Sequence, residues 1–296
     1  MESDDTSKSL EEMIKFALSE GGHAGKPTSP VEYWKQYFGR ELSFRAIITH
    51  PDRDHFKGIK EFYDRIGIQN LWIPTDHKDK LSNDNEDEKF INDVISGRIN
   101  VKFVEPKRGD DREFYGVSNP DWDNIQILHP AKAYEAETCN RGSYLLKIHN
   151  GKSSVIIGGD SEPETYEWLL DKYSDELSCT VFVASHHGRQ SGWPGKDVME
   201  AMNPLMVVIS KGYIDDKDSA VDNYKRVLGN DRVLTTSYTS NLRVQLSQFY
   251  DDIDTIECDR EYVNELLPER LQNARELRRM HKLLQLSSLV SSIKNW

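Results

Sequence analysis

The feature that most constrains the fold of this chain is the segment ITHPDRDHFKGI at 47–58, in which an apolar run ends in a cluster of histidines and aspartates. The run at 44–48 has the length and composition of a buried strand. It is followed within six positions by His50, Asp52, Asp54 and His55. Imidazole and carboxylate groups together suit zinc, manganese or iron. The segment therefore predicts a metal site at the end of a strand.

Two later apolar runs end in residues of the same kinds. SVIIGG at 154–159 is followed by Asp160, and TVFVAS at 180–185 is followed by His186 and His187. A single histidine is more often a core or surface residue than a ligand. Three strands that all end in histidine or aspartate predict one shared site, because loops at strand ends can converge while the strands hold them rigidly.

The rest of the chain alternates between predicted helices and strands, which indicates an α/β layered fold. Helical spacing is found at 8–20 and 31–38, and a hairpin is predicted around the Asn150-Gly151 turn. The polar, acidic stretch at 76–89 is interpreted as a solvated loop and the start of a helix. From about Pro268 the sequence predicts one long amphipathic helix with a basic face.

Charge and composition exclude several classes of protein. The formal net charge of −12 over 296 residues disfavours broad, non-specific binding of nucleic acid. Three widely spaced cysteines without a CxxC pair argue against a disulfide framework and against a structural zinc finger. There is no signal-peptide pattern and no run of about 18 apolar residues, so we expect a cytoplasmic protein with no membrane partner.

The three motifs resemble those of the metallo-β-lactamase fold, and more narrowly its ComEC-type branch. That branch reads THxDxDHxxG where better-known members read HxHxDH, and THPDRDHFKG fits it through Gly58. NRGSYLLKIHNGKSSVIIGGD at 140–160 matches the turn, serine and strand before the GD of the branch, and ASHHG at 184–188 matches its last ligand motif. The resemblance covers roughly residues 42–247; the first and last motifs together are specific, whereas GD alone is weak.

The resemblance implies an αββα sandwich and a hydrolase site that holds two divalent metal ions, zinc or manganese. The implied ligands are His50 and Asp52 for one ion, Asp54 and His55 for the other, Asp160 as the bridge, and His186 to complete the second site. Two such ions turn a bridging water into hydroxide near neutral pH and hold the attacked phosphoryl oxygen. The alternatives are that Asp54 only orients a histidine and that His187 rather than His186 is the ligand.

Further residues near the motifs are candidates for catalysis and substrate binding. Asp54 and His187 are the catalytic candidates, with His187 as a substrate contact or proton donor. Arg189 and Lys211 could bind phosphate, although plain surface charge explains each equally well. Asn140, with Cys139, falls near the place of a histidine that the family usually has and this chain lacks.

The implied reaction is hydrolysis of a phosphodiester, in DNA or a nucleotide, because the ComEC-type branch is associated with nuclease activity. The alternative substrates are a small ester, a lactone or a cyclic nucleotide, which the net acidity favours somewhat. A third reading is a non-catalytic component of a multi-protein system that keeps the fold as an interaction module. Retention of every candidate ligand counts against that reading.

The chain departs from the family at its start, because residues 1–40 do not resemble the usual opening hairpin. We therefore expect a hydrolase domain at 1–260, with its motif-bearing core at 42–247, that lacks this hairpin. A second chain, a partner protein or an upstream segment would then cover the exposed sheet edge. Residues 261–296 form a helical extension that is either docked on the domain with a solvated basic face, or used for a partner, a dimer or nucleic acid.

Overall fold

The computed structural model describes residues 29–39, 43–109, 124–131, 137–211 and 217–294, so the helix expected at 8–20 lies outside the described residues. The strands are β1 (Ser43–Ile47), β2 (Ile68–Trp72), β3 (Lys102–Val104), β4 (Ile125–His129), β5 (Leu145–Asn150), β6 (Ser153–Ile157), β7 (Val181–Val183), β8 (Met206–Ile209), β9 (Val233–Thr235), β10 (Leu242–Leu246) and β11 (Ile253–Cys258). The helices are α1 (Pro30–Phe38), α2 (Arg53–Phe56), α3 (Ile59–Arg65), α4 (Glu86–Ile95), α5 (Pro163–Tyr173), α6 (Lys196–Met202), α7 (Val221–Leu228), α8 (Thr236–Thr239), α9 (Glu261–Asn264) and α10 (Leu267–Lys294).

The strands form three sheets within the described ranges. The first sheet has the order β1-β2-β3 and is parallel throughout. The second has the order β4-β5-β6-β7-β8-β9, with antiparallel pairing from β4 to β6 and parallel pairing from β6 to β9. The third is the antiparallel pair β10-β11. The parallel strands β6 and β7 end at the same edge of the second sheet, so the loops that follow them can meet.

The first two sheets pack face to face. Their shared cluster joins Trp72 of β2 to Ile127 of β4 and Leu146 of β5, all nearly inaccessible to solvent. The outer face of the first sheet is covered by α3 and α4, and that of the second by α5, α6 and α7. The protein is therefore a mixed α/β structure whose layers are compatible with the expected αββα sandwich.

The Asn150-Gly151 hairpin has the turn that the sequence predicts. The strands β5 and β6 pair antiparallel up to Asn150 and Ser153. Gly151 has a φ of +61°, and a Cβ built on it would lie 2.0 Å from the carbonyl oxygen of Gln248. A glycine is therefore required here by both the backbone conformation and the close approach of the β10–β11 turn.

The acidic stretch at 76–89 is more structured than the sequence suggested. Asn85 caps α4 by accepting a hydrogen bond from the backbone N–H of Glu88, 3.0 Å away. Glu88 is itself buried, and its carboxylate accepts hydrogen bonds from Ser82 and from the backbone of Asp84. The helix start was predicted, but the loop before it is held by Glu88 rather than freely solvated.

Three arginines of the basic face of α10 are turned toward the domain, whereas Arg279 and Lys282 are exposed to solvent. Leu271 and Ala274 are buried against β7, β8 and β9. Arg278 is 5% exposed and donates to the carbonyls of Asn203 and Cys179 and to Asp251. Arg270 and Arg275 likewise donate to main-chain carbonyls, of Val233 and Ile253. The expectation of a solvated basic face is therefore wrong for these three arginines.

No helix within the described residues combines the length and the apolar character that a membrane span requires.

Candidate metal centre

The histidines and aspartates of the three motifs meet at the carboxyl ends of β1, β6 and β7. The loop after β1 is tied to the residue before β5, because the backbone N–H of Tyr144 donates to the carbonyl of Thr49 at 2.8 Å. The loop after β7 is tied to that after β6 by the N–H of His186, which donates to the carbonyl of Gly159 at 2.9 Å. These main-chain bonds hold residues far apart in sequence within one pocket of side chains.

Asp160 lies at the middle of the cluster. Its Oδ1 is 3.1 Å from Nε2 of His55, and its Oδ2 is 3.6 Å from Nε2 of both His50 and His186. The residue is 4% exposed, and its backbone N–H donates to Oγ of Ser143. A carboxylate whose two oxygens face three imidazoles has the placement that a bridging ligand needs.

Asp52 lies on one side of this centre. Its Oδ2 is 3.5 Å from Nε2 of His50, and its Oδ1 accepts a hydrogen bond from Nζ of Lys80 at 2.6 Å. The thiol of Cys139, 5% exposed, is within hydrogen-bonding reach of the same ammonium group. Cys139, one of the two residues expected near the place of the absent histidine, therefore lies near the Lys80–Asp52 pair.

Asp54 lies on the other, more exposed side. Its Oδ2 is 3.2 Å from Nε2 of His187 and 3.7 Å from Nε2 of His55. The side chain of Asp54 is 64% exposed and that of His187 is 38% exposed, whereas that of His50 is fully buried. The centre is thus closed at His50 and open toward solvent at the Asp54–His187 pair.

The four histidines of the cluster all turn Nε2 toward its aspartates and Nδ1 away from them. In each ring Nδ1 contacts a protein oxygen while Nε2 faces an aspartate: Thr49 Oγ1 for His50 and His55, Ser191 Oγ for His186, and the Ser210 carbonyl for His187. The Nδ1–H of a metal-ligating histidine is usually held by such an oxygen, which fixes the tautomer and leaves Nε2 for the ion.

Three buried polar atoms of the cluster have no hydrogen-bond partner: Nε2 of His50, Nε2 of His55 and Oδ1 of Asp160. Buried polar groups are nearly always satisfied, and a metal ion bound between these facing atoms would satisfy them. Potential ligand atoms form two groups, and within each group all of these atoms lie within 4.8 Å of one another. The first group is His50, His55 and Asp160, and the second is Asp54, His55 and His187. These donors fit a divalent cation.

Burial and charge set the proton affinities around Asp160. Burial, aided by the charge of His55, lowers the pKa of His50 to about 4, so His50 is neutral at physiological pH. Burial also acts to lower the pKa of His55, but the Asp160 carboxylate outweighs it and the pKa is raised. Burial acts to raise the pKa of Asp160, yet His55 and the other imidazoles hold it below its usual value. Asp160, the predicted bridge, is therefore an anion.

The turn that carries His186 and His187 is strained. Both residues have left-handed backbone conformations, with φ of +48° and +54°. Such conformations cost a non-glycine residue roughly 1–3 kcal/mol each and persist only where the surroundings impose them. Here the packing is tight, because a Cβ on Gly192 would lie 2.7 Å from the Cβ of His186. The left-handed conformations of this turn direct both imidazole rings toward the aspartates, and they are energetically unfavourable for the backbone.

The candidate substrate-binding residues lie on chain segments that contact the candidate ligands. Arg189 is exposed and directly follows the strained turn. Lys211 follows Ser210 and is fixed through its main chain, which exchanges hydrogen bonds with Oγ1 of Thr236 at 2.9 and 3.0 Å. Asn140 is half-buried, and its carbonyl accepts from the backbone N–H of Ser143. The roles of these residues, and the choice between His186 and His187, stay predictions.

Arg141, the residue after Asn140, is held by three carboxylates. Its guanidinium donates to Glu137, Glu162 and Glu164 at 2.6–2.7 Å. Sequence reasoning missed Thr49 and Lys80, although each contacts a candidate ligand directly. Thr49 stands within the first motif and could have been suspected. Lys80 lies in the stretch interpreted as solvated, and no sequence signal marks it.

Comparison with known proteins gives one partial match. No family model matches the chain. Over 132 residues the chain is 27% identical to a protein named competence protein ComA from Neisseria gonorrhoeae. The match covers 43% of this chain and 19% of the relative, so the chain spans about a fifth of the length of the relative it matches. The similarity is consistent with the ComEC-like resemblance of the motifs.

Proposed function

We propose that this protein is a metal-dependent hydrolase of the metallo-β-lactamase fold, ComEC-type, that cleaves phosphodiesters in DNA or a nucleotide. The observation that supports it best is the convergence of four imidazole Nε2 atoms on three aspartates, with every Nδ1 held by an oxygen. The partial similarity to a competence protein supports the same branch. Three free cysteines agree with a cytoplasmic location.

The proposal divides the ligands between two ions, zinc or manganese. His50 and Asp52 would hold one, Asp54 and His55 the other, and Asp160 lies between them. When bound, two divalent ions lower the pKa of a water and place positive charge on the attacked phosphoryl oxygen. Both His186 and His187 remain candidates to complete the second site, since one faces Asp160 and the other faces Asp54.

The Asp54–His187 pair is suited to move a proton at the open side. The ring of His187 lies between Oδ2 of Asp54 and the carbonyl of Ser210, both at 3.2 Å. A ring between two acceptors can carry protons on both nitrogens and release one from Nε2. With His186 as the metal ligand, that proton goes to the oxygen of the leaving group, and the carbonyl of Ser210 orients the ring through Nδ1.

The test combines metal content with hydrolysis. The protein is exchanged into zinc or manganese, its metal is measured by elemental analysis, and cleavage of single-stranded DNA, a cyclic dinucleotide and a lactone is assayed. We expect two equivalents of metal and cleavage of the phosphodiesters. Less than one equivalent in every condition contradicts the proposal. Bound metal without any hydrolysis supports instead a non-catalytic module, and cleavage of the lactone alone supports the small-molecule alternative.

A further inference from the structure

Lys80 reaches the candidate metal centre from a segment outside all three motifs. It ends the single turn of 3-10 helix Lys78–Lys80 that follows β2, in the first sheet. Its Nζ lies 2.6 Å from Oδ1 of Asp52, and its side chain is 42% exposed. A cation therefore stands at the rim of the centre, separated from it by one carboxylate.

The arrangement around Asp52 leaves the ammonium group free to make further contacts. The two oxygens of Asp52 face different partners, Lys80 on one side and His50 on the other. An ammonium group has three N–H donors, of which Asp52 accepts one, and the Cys139 thiol lies nearby. With its side chain partly in solvent, Lys80 can donate to a group that arrives from outside.

Charge shows why such a donor is useful here. Asp52, Asp54 and Asp160 cancel three of the four positive charges that two divalent ions bring. The attacking hydroxide and a phosphodiester monoanion together bring two negative charges, so one negative charge on the reacting phosphoryl group has no partner within the ligand set. A fixed cation at the rim is favourable for that charge. A neutral ester gains much less, because it arrives uncharged.

We propose that Lys80 binds a non-bridging oxygen of the substrate and thereby selects phosphodiesters over neutral esters. This inference rests on the proposed function, because it names the substrate class of the same site. Arg141 is unsuited to the role, since its guanidinium is held by Glu137, Glu162 and Glu164. Lys80 follows a strand of the first sheet, whereas Asp160 follows a strand of the second. The substrate would therefore contact residues from both sheets.

The experiment compares Lys80→Gln and Lys80→Arg with Lys78→Gln, a matched control on the same turn whose lysine is also exposed. Binding of inorganic phosphate to the zinc- or manganese-loaded protein is measured by calorimetry. Values of kcat/KM are measured for bis(p-nitrophenyl) phosphate and for p-nitrophenyl acetate. Metal content and melting temperature are recorded for every variant, so that damage to Asp52 or to the fold is detected.

We expect Lys80→Gln to weaken phosphate binding and to lower kcat/KM for the phosphodiester about 10- to 100-fold, somewhat below the loss of a fully enclosed transition-state donor. The value for the acetate should change less than about threefold, metal content should be unchanged, and Lys80→Arg should restore most of the loss, because charge is the property required. Lys78→Gln should behave as wild type in every measurement.

Equal losses on both substrates, or loss of a metal ion in Lys80→Gln, would show that Lys80 only supports Asp52 and would overturn the inference. Unchanged phosphate binding would overturn it as well. A wild-type protein that binds metal and phosphate but hydrolyses neither substrate contradicts the proposed function, while the phosphate titration still decides the role of Lys80. A wild-type protein that binds neither metal nor phosphate contradicts both.

Discussion

The hydroxyl oxygen of Thr49 lies 3.0 Å from Nδ1 of His55, six residues further along the chain, and 3.2 Å from Nδ1 of His50. A hydroxyl oxygen has two acceptor lone pairs, so Thr49 can accept from both rings at once. The ring centroids of the two histidines are only 4.0 Å apart. One side chain therefore fixes the tautomer of two adjacent candidate ligands and directs both Nε2 atoms toward Asp160.

Thr49→Val should weaken metal binding about 10- to 100-fold, as the loss of groups that orient metal ligands typically does. Valine keeps the shape of threonine but cannot accept from either imidazole. Thr49→Ser, which retains the hydroxyl, should bind metal nearly as well as wild type. Competition with a chromophoric chelator measures the affinity without any assay of activity. Equal affinity in all three proteins would remove Thr49 from the centre.

Asp160→Ala and Asp54→Ala should each lower hydrolysis by several orders of magnitude, because both are placed where a two-ion site needs a ligand. Asp54 is exposed, so its loss should leave the melting temperature nearly unchanged. Asp160 is buried among imidazoles that its charge helps to hold, so Asp160→Asn is the better test of chemistry at constant shape. Turnover and circular dichroism are measured together; a fully active variant would exclude that residue from the mechanism.

Gly158→Ala should destabilise the protein by about 1–3 kcal/mol, the usual effect of overpacking in a core. A Cβ at Gly158 would lie 2.1 Å from Oγ of Ser185 and 2.8 Å from the hydroxyl of Tyr166. These two hydroxyls contact each other beneath the loops that carry Asp160 and His186. Chemical denaturation gives the free energy of unfolding. Adding Ser185→Ala removes the nearer clash, so the double variant should recover part of the loss.

The free energy of unfolding should fall as the pH drops from 6.5 to 4, partly through His129. Burial lowers the pKa of His129 to about 4, although its contact with the carbonyl of Arg141 opposes the shift. Between those pH values the unfolded chain binds a proton that the folded protein excludes, so stability is complete above pH 6.5 and is lost toward pH 4. The contribution is on the order of 3 kcal/mol.

This pH dependence is measured by urea denaturation in the presence of a metal chelator, at several pH values. The matched variant is His129→Gln, whose amide can still donate to the carbonyl of Arg141 but does not titrate. Its stability should fall less steeply than that of wild type over the same range. If the free energy of unfolding falls equally with pH in the two proteins, the folded protein does not exclude a proton from His129.

The edge of β1 should recruit another chain. Within the described ranges β1 is the edge strand of the first sheet and pairs with β2 on one side. Unpaired strand edges template association unless they are covered. We expect light scattering of the purified chain to report an oligomer or poor solubility. A stable, monodisperse and active monomer would show that this edge needs no partner chain.

The sequence by itself determined the local structure and the kinds of ligand. Apolar runs bounded by turns marked most strands, and the Asn150-Gly151 turn fixed one hairpin, because these signals act between residues close in the chain. The helix α6 and the strand β11 were not predicted. The strand β11 pairs with β10 just before it, but its buried Ile253 and Ile256 belong to a cluster that includes Leu271 of α10. Histidines and aspartates at three strand ends were enough to predict a shared site.

Only the tertiary structure decided which atoms face each other. Spacing along the chain could not show that Thr49 contacts two imidazoles, that Lys80 pairs with Asp52, or that His187 faces Asp54 while His186 faces Asp160. Nor could it show that Arg278, which looks like a solvated cation, is buried by Asp251 and main-chain carbonyls. Periodicity assigns a residue to a face of its own element, whereas its partner is set by how separate elements pack.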